Sequence, residues 1–271
     1  MRGWKRFISG ILTMVLMITS ILPMTVTAVE NLTPGHEFTA DWIWSNDARE
    51  AGQWMSFRKT FDLEKVPEKV EAYIAADSKY WLWINGEMAV FEGMVKTGPN
   101  RSDMYYDKED IAKFLKEGKN TIAVQVVYFG KSGYGFKDSG KPGFLFDADF
   151  GEGALKEGTK IVSDTSWKAV KDPAYGKHDM DSNYRLAEPN IMYDANAELT
   201  GWQGTEFNDS KWENAVIQAK AGEAPYNDLW ERPIPQLKVD DVVRYTADGT
   251  DGTGTWKEEY IDSSANDVFT A

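Results

Sequence analysis

Between residues 70 and 127, apolar and polar residues alternate in short runs that are broken by turn-favouring residues. A period of two puts every second side chain on the same face of an extended strand, so the pattern dictates sheet rather than long amphipathic helices. Within it, Asn85-Gly86 separates the run 79–84 from the run 87–91. A type I′ turn needs positive φ at both central residues, which Asn and Gly tolerate best, so this dipeptide predicts a hairpin.

The same punctuation extends in both directions. Residues 54–61 place Met55, Phe57 and Phe61 on one face, residues 70–76 and 79–84 flank Asp77-Ser78, and further strands are predicted at 121–128, 144–150 and 160–163. One or two helical turns are predicted over 108–115, where Ile111, Phe114 and Leu115 fall at helical spacing before the stop at Gly118. Residues 172–183 mix Pro, Gly, His and Asp and predict a long loop. Many short strands with turn signals every ten residues or so indicate an all-β fold, an antiparallel jelly-roll β-sandwich. Arg232-Pro233-Ile234-Pro235 closes this region, because two prolines cannot donate to a ladder and favour extended backbone before them.

The first residues carry Arg2, Lys5 and Arg6, then the apolar run 8–24, then Val26-Thr27-Ala28. That order predicts a secretory signal peptide over 1–28, cleaved after Ala28, and hence a secreted, extracellular protein. The expected organisation is signal peptide 1–28, N-terminal linker 29–39, β-sandwich region 40–235, and the truncated start of a second β domain over 236–271. Beyond the leader, 27 basic residues face 43 acidic ones, a formal charge of −16. Such a field repels phosphate backbones and anionic lipid surfaces, so neither nucleic acid nor membrane is an expected partner after cleavage. The chain has no cysteine, so its stability comes from buried area and no thiolate is available as nucleophile or ligand.

Several of these segments, in order along the chain, resemble the N-terminal, non-catalytic region of bacterial α-L-rhamnosidases. They are Ala40-Asp41-Trp42-Ile43-Trp44, Phe57-Arg58-Lys59-Thr60-Phe61, Ala75-Ala76-Asp77-Ser78 with the Asn85-Gly86 hairpin, Tyr106-Asp107, Gly118-Lys119-Asn120, Tyr193-Asp194-Ala195, the Phe207 to Trp212 motif and Arg232-Pro233-Ile234-Pro235. The resemblance implies a galactose-binding-like sandwich in an inverting glycoside hydrolase whose catalytic domain is an (α/α)6 barrel. Twelve helices of ordinary length with short connections need about 200 residues, whereas 36 follow Pro235. The expectation is therefore an accessory, carbohydrate-binding-like region with no catalytic residue and no hydrolysis by this chain alone. The expected partner is a rhamnose-containing glycan or a plant or bacterial polysaccharide. The alternative is a stand-alone extracellular carbohydrate-binding module.

Chemistry read from the residues fits that expectation. Glycoside hydrolysis needs two carboxyl groups about 5 to 10 Å apart across the scissile bond. Glu258 and Glu259 are adjacent on a predicted strand and point to opposite faces, as do Asp240 and Asp241. His36 and His178, both in polar loop-like contexts, are the only histidines and no cysteine is available to complete a zinc set, so transition-metal binding is not expected. The run Asp248-Gly249-Thr250-Asp251-Gly252 fails the EF-hand spacing, so no cofactor is expected and a structural calcium has no support in spacing. Trp81 and Trp83 alternate with Leu82 and Ile84 and share a strand face, which points outward if Leu82 and Ile84 point inward. Two readings of that face stay open: a platform for the apolar side of a pyranose, with Tyr105, Tyr106 and Asp107 lining the same region, or packing under a loop or neighbouring domain. Trp42, Trp44, Trp54, Trp167, Trp202 and Trp212 are expected in the core or at its rim. Asp209 and Ser210 are expected to fix a turn by side-chain to backbone hydrogen bonds.

Overall fold

The computed structural model describes residues 35–46, 50–94, 98–100, 102–177 and 186–237, and the backbone of 242–247 and 256–261. The predicted leader, His178, Asp240, Asp241 and the 248–252 run lie outside the described residues. In chain order the strands are β1 (Asp41–Trp44), β2 (Gln53–Leu63), β3 (Glu71–Asp77), β4 (Lys79–Ile84), β5 (Glu87–Met94), β6 (Met104–Asp110), β7 (Gly118–Tyr128), β8 (Gly143–Asp149) and β9 (Lys160–Val162). They continue as β10 (Lys168–Lys171), β11 (Tyr175–Lys177), β12 (Ile191–Tyr193), β13 (Glu213–Asn214), β14 (Val216–Lys220), β15 (Leu229–Glu231), β16 (Val242–Ala247) and β17 (Trp256–Ile261). Two short 3-10 turns, Ala112–Phe114 and Ala195–Ala197, are the helical elements among the described residues.

The strands form an all-β sandwich. One sheet runs β14-β1-β8-β3-β6-β15 with β9 joined to β8, and the other runs β13-β10-β2-β7-β4-β5. Pairing is antiparallel except for β15 beside β6. The long β2 and β7 pair over their full length, from Gln53 opposite Tyr128 to Leu63 opposite Gly118, and form the backbone of the second sheet. The expected Asn85-Gly86 turn joins β4 to β5, with φ of 56° and 89° at its two residues. β16 and β17 pair with each other in a sheet of two strands, from Val242 opposite Ile261 to Ala247 opposite Trp256.

Period-two alternation supplies the core. Met55, Phe57, Leu82, Ile84, Val124 and Val126 from one sheet meet Ile43, Ile74, Phe144 and Phe146 from the other, all without solvent exposure. Trp44 packs against Phe57 at 5.5 Å, and Trp167 meets Phe144 and Phe146 at 5.5 and 5.6 Å. The one polar atom of Trp167 is not wasted in this apolar setting, since its Nε1 donates to Val162 O at 2.8 Å. All six tryptophans expected in the core or its rim are buried.

Three expectations need correction. Residues 108–110 continue β6 instead of starting a helix, and only Ala112–Phe114 coils, because pairing with β3 satisfies the backbone that a helix would otherwise satisfy internally. Residues 175–177, expected in a loop, form β11 and pair with β12. His36 does not sit in a polar loop: its ring stacks on Tyr73 at 3.5 Å and meets Phe38 edge-on at 4.6 Å. Burial lowers its pKa, against the attraction of the Asp147 carboxylate.

Candidate functional site

The face that carries Trp81 and Trp83 is the outer side of the second sheet. On β4, Tyr80, Leu82 and Ile84 point inward and are fully buried, so Lys79, Trp81 and Trp83 take the opposite side, as the alternation requires. That side is not bare. β2 is buried on both faces, with Trp54, Ser56 and Arg58 as well covered as Met55 and Phe57, because later parts of the chain cross over it.

The cover divides the face into two aromatic clusters, and the two tryptophans fall into different ones. Trp81 stacks on Trp54 at 5.2 Å, Trp54 stacks on Tyr175 at 4.2 Å, and Tyr193 meets Tyr175 edge-on at 5.0 Å. Beside them Asp172 is buried and fully engaged: its carboxylate accepts from Ser56 Oγ (2.9 Å), Gln125 Nε2 (2.8 Å) and the Ala174 amide (3.0 Å). Lys79 Nζ lies 6.0 Å from the Trp81 ring centroid and pairs with Glu188 at 2.9 Å and Glu92 at 3.6 Å. Trp83 instead meets Trp202 edge-on at 5.6 Å within a cluster completed by Trp212 and Phe207.

Arg58 fastens the second cluster to the sheet. Its Nε donates to Asp209 Oδ2 at 2.9 Å, its Nη1 donates to Trp202 O and to Gly204 O (3.0 Å), and its guanidinium lies 5.2 Å from the Phe207 ring centroid. The side chain is 1% exposed. An arginine fork suits this task because several donors leave one planar group in fixed directions. The expected roles within 207–212 are therefore redistributed. Asn208 Oδ1 accepts from the Ser210 amide and makes the turn, while the Asp209 carboxylate is committed to Arg58.

Tyr105, Tyr106 and Asp107 do not join either cluster, because β6 belongs to the opposite sheet. Tyr105 lies opposite Trp230 in the parallel pair. Tyr106 is buried against Phe38 (5.3 Å) and Tyr73 (5.8 Å). Asp107 faces the other way, where it accepts from Tyr80 Oη at 2.7 Å and from Arg232 Nε. Burial raises the Asp107 pKa despite Arg232 and Tyr80, and burial together with the nearby Asp107 charge raises Tyr80 well above its ordinary value. A cleft of about 240 Å³ opens beside this group, lined by Glu109, Glu231, Arg232, Ile234 and Gln236 among others. Burial also raises Glu109.

Asp172, just after β10, and Asp107, on β6, are buried and serve as acceptors for neighbouring donors. Each of these two carboxylates holds neighbouring donors in place. No group of three or more His, Asp or Glu among the described residues is arranged to hold a metal ion. Arg58, Asp172, Tyr175 and Arg232 were missed as organising residues. A lone arginine between Phe57 and Lys59 was the one signal available for the first of them, and the others lie in segments that look like loop.

Residues 65–238 match the family model described as the α-L-rhamnosidase N-terminal domain. An α-L-rhamnosidase of Formosa agariphila is 27% identical over 170 residues, which cover 58% of this chain and 17% of that protein. Among solved structures, the GH78-family rhamnosidase of Bacillus sp. GL1 aligns over 79% of this chain and 22% of its own, with 27% identity and a TM-score of 0.66. The α-L-rhamnosidase of Dictyoglomus thermophilum aligns over 79% of this chain and 25% of its own, with 23% identity and a TM-score of 0.57. This chain thus spans about a fifth of the length of the relatives it matches. With the model covering well over half of the residues, the chain belongs to the α-L-rhamnosidase N-terminal domain family.

Proposed function

We propose that this chain is the secreted, accessory N-terminal region of an α-L-rhamnosidase-like glycoside hydrolase, which supports a catalytic domain without performing hydrolysis itself. The observation that carries the reading is the family match over 65–238, which falls on the sandwich. At the site, Asp172 accepts from Ser56 and Gln125, and Asp107 accepts from Tyr80 and Arg232. Export rests on the order of basic, apolar and small residues in 1–28. The glycan class follows from the relatives, which are named as rhamnosidases.

The alternative, a stand-alone carbohydrate-binding module, draws on Trp81, which is half-buried on the outer face of its sheet and has Lys79 Nζ 6.0 Å from its ring centroid. Titration with a rhamnose-containing oligosaccharide, followed by tryptophan fluorescence, separates the two. A supporting region gives no saturable change, and Trp81→Ala gives the same flat response. A saturable change that Trp81→Ala abolishes would replace the supporting role by the binding module.

A further inference from the structure

Asn-Gly is the sequence in which an asparagine amide is most open to attack by its own backbone, because glycine has no side chain to hinder ring closure. The chain has one such dipeptide, Asn85-Gly86. In the reaction the Gly86 nitrogen attacks Asn85 Cγ, a C–N bond forms and the Cγ–Nδ2 bond breaks. Ammonia leaves with the amide hydrogens and the proton from Gly86. Water then opens the cyclic imide at either carbonyl and leaves aspartate or isoaspartate. No reagent other than water is needed.

The fold engages every polar atom of that amide. Asn85 Nδ2 donates to Phe114 O (2.9 Å) and to Asn120 Oδ1 (2.8 Å), and Asn85 Oδ1 accepts from the Thr121 amide (2.9 Å). Asn120 is itself bonded on both sides of its amide: it is fully buried, its Nδ2 donates to Lys116 O (2.6 Å) and Gly118 O (2.8 Å), and its Oδ1 also accepts from the Lys116 amide (3.0 Å). The leaving nitrogen is thus the donor that two fixed acceptors depend on, and turning Cγ toward Gly86 would break all three bonds of Asn85. Replacing the amide by a carboxylate would set negative charge against Phe114 O and Asn120 Oδ1, two acceptors with nothing to donate.

We propose that Asn85 is a conformation-gated modification site: the folded chain protects it through the Asn120 clamp, and opening of the β4–β5 turn exposes it to conversion that blocks return to the native pairing. Three hydrogen bonds of ordinary net strength slow the native reaction on the order of a hundredfold relative to the open chain. For a chain without disulfides, each excursion from the fold then carries a chance of permanent exclusion from it.

The test is peptide mapping by mass spectrometry of the purified chain aged at pH 8 and 37 °C, in buffer and in urea above the unfolding midpoint. Asn85 is expected to convert on the order of a hundredfold more slowly in buffer. Asn120→Ala, checked for native circular dichroism, is expected to convert faster than wild type in buffer, while Asn208 is unchanged. Equal rates for wild type in buffer and in urea would overturn the proposal. So would a folded Asn120→Ala chain that converts no faster than wild type. If Asn120→Ala does not fold, the wild-type comparison decides alone.

Discussion

Replacing Arg58 by alanine tests how the second aromatic cluster is held. Arg58 is 1% exposed and makes an ion pair with Asp209, two bonds to backbone carbonyls and a contact with the Phe207 ring. Removing one partner of a buried pair costs about 3–5 kcal/mol. Asp209 keeps 25% of its side chain exposed and can rehydrate, which favours the lower end. The carbonyls of Trp202 and Gly204 lose their donor and add a fraction of the roughly 1–3 kcal/mol due to an unsatisfied buried group. The sum is about 3–4 kcal/mol. At an unfolding slope of about 2 kcal/mol per molar urea, the midpoint falls by about 1.5–2 M. Urea titration at 25 °C followed by tryptophan fluorescence reads this directly, and Asp209→Ala with the double variant gives a coupling of about 1.5–3 kcal/mol. A loss within about 0.5 kcal/mol, the size of an ordinary surface change, would refute the view that Arg58 fastens the cluster.

Asp77 is fully buried, accepts from Ser78 Oγ (2.6 Å) and the Ser139 amide (3.1 Å), and has its pKa raised to about 6, chiefly by burial. Between about pH 4 and that value the folded chain binds more protons than the unfolded one, so this group's contribution to stability falls as pH rises, by about 3 kcal/mol in all. Urea midpoints across pH 4–7 should fall more, or rise less, in wild type than in Asp77→Asn, and equal pH profiles for the two would contradict this assignment. Tyr80→Phe removes the hydroxyl that donates to Asp107 at 2.7 Å, a loss of about 1.5–3 kcal/mol by the same assay. Trp167→Ala empties a fully buried site between Phe144 and Phe146 and should cost about 3–5 kcal/mol, with an unchanged midpoint as the contrary result.

The sandwich was legible because strand alternation is a local signal. Met55, Phe57, Leu82 and Ile84 could be assigned to the core from their spacing alone, and Asn85-Gly86 marked its own turn. The helix expected over 108–115 shows the limit, since Ile111, Phe114 and Leu115 carry helical spacing while pairing of β6 with β3 decides the backbone before them. The outer face of β4 was half legible. Alternation correctly placed Trp81 and Trp83 on one side, but what covers that side comes from residues 172–212, more than ninety positions later, and no local pattern announces it. The same distance hid the pairing of Arg58 with Asp209 and of Asp107 with Arg232. Tyr105, Tyr106 and Asp107, which could line the tryptophan face on the sequence alone, lie on β6, and strand order in the two sheets separates them from it.

The most direct test of an accessory role without catalysis is hydrolysis itself. Purified chain incubated with 4-nitrophenyl α-L-rhamnopyranoside should release nitrophenol no faster than buffer. Release that scales with protein concentration and disappears on heat denaturation would contradict the account.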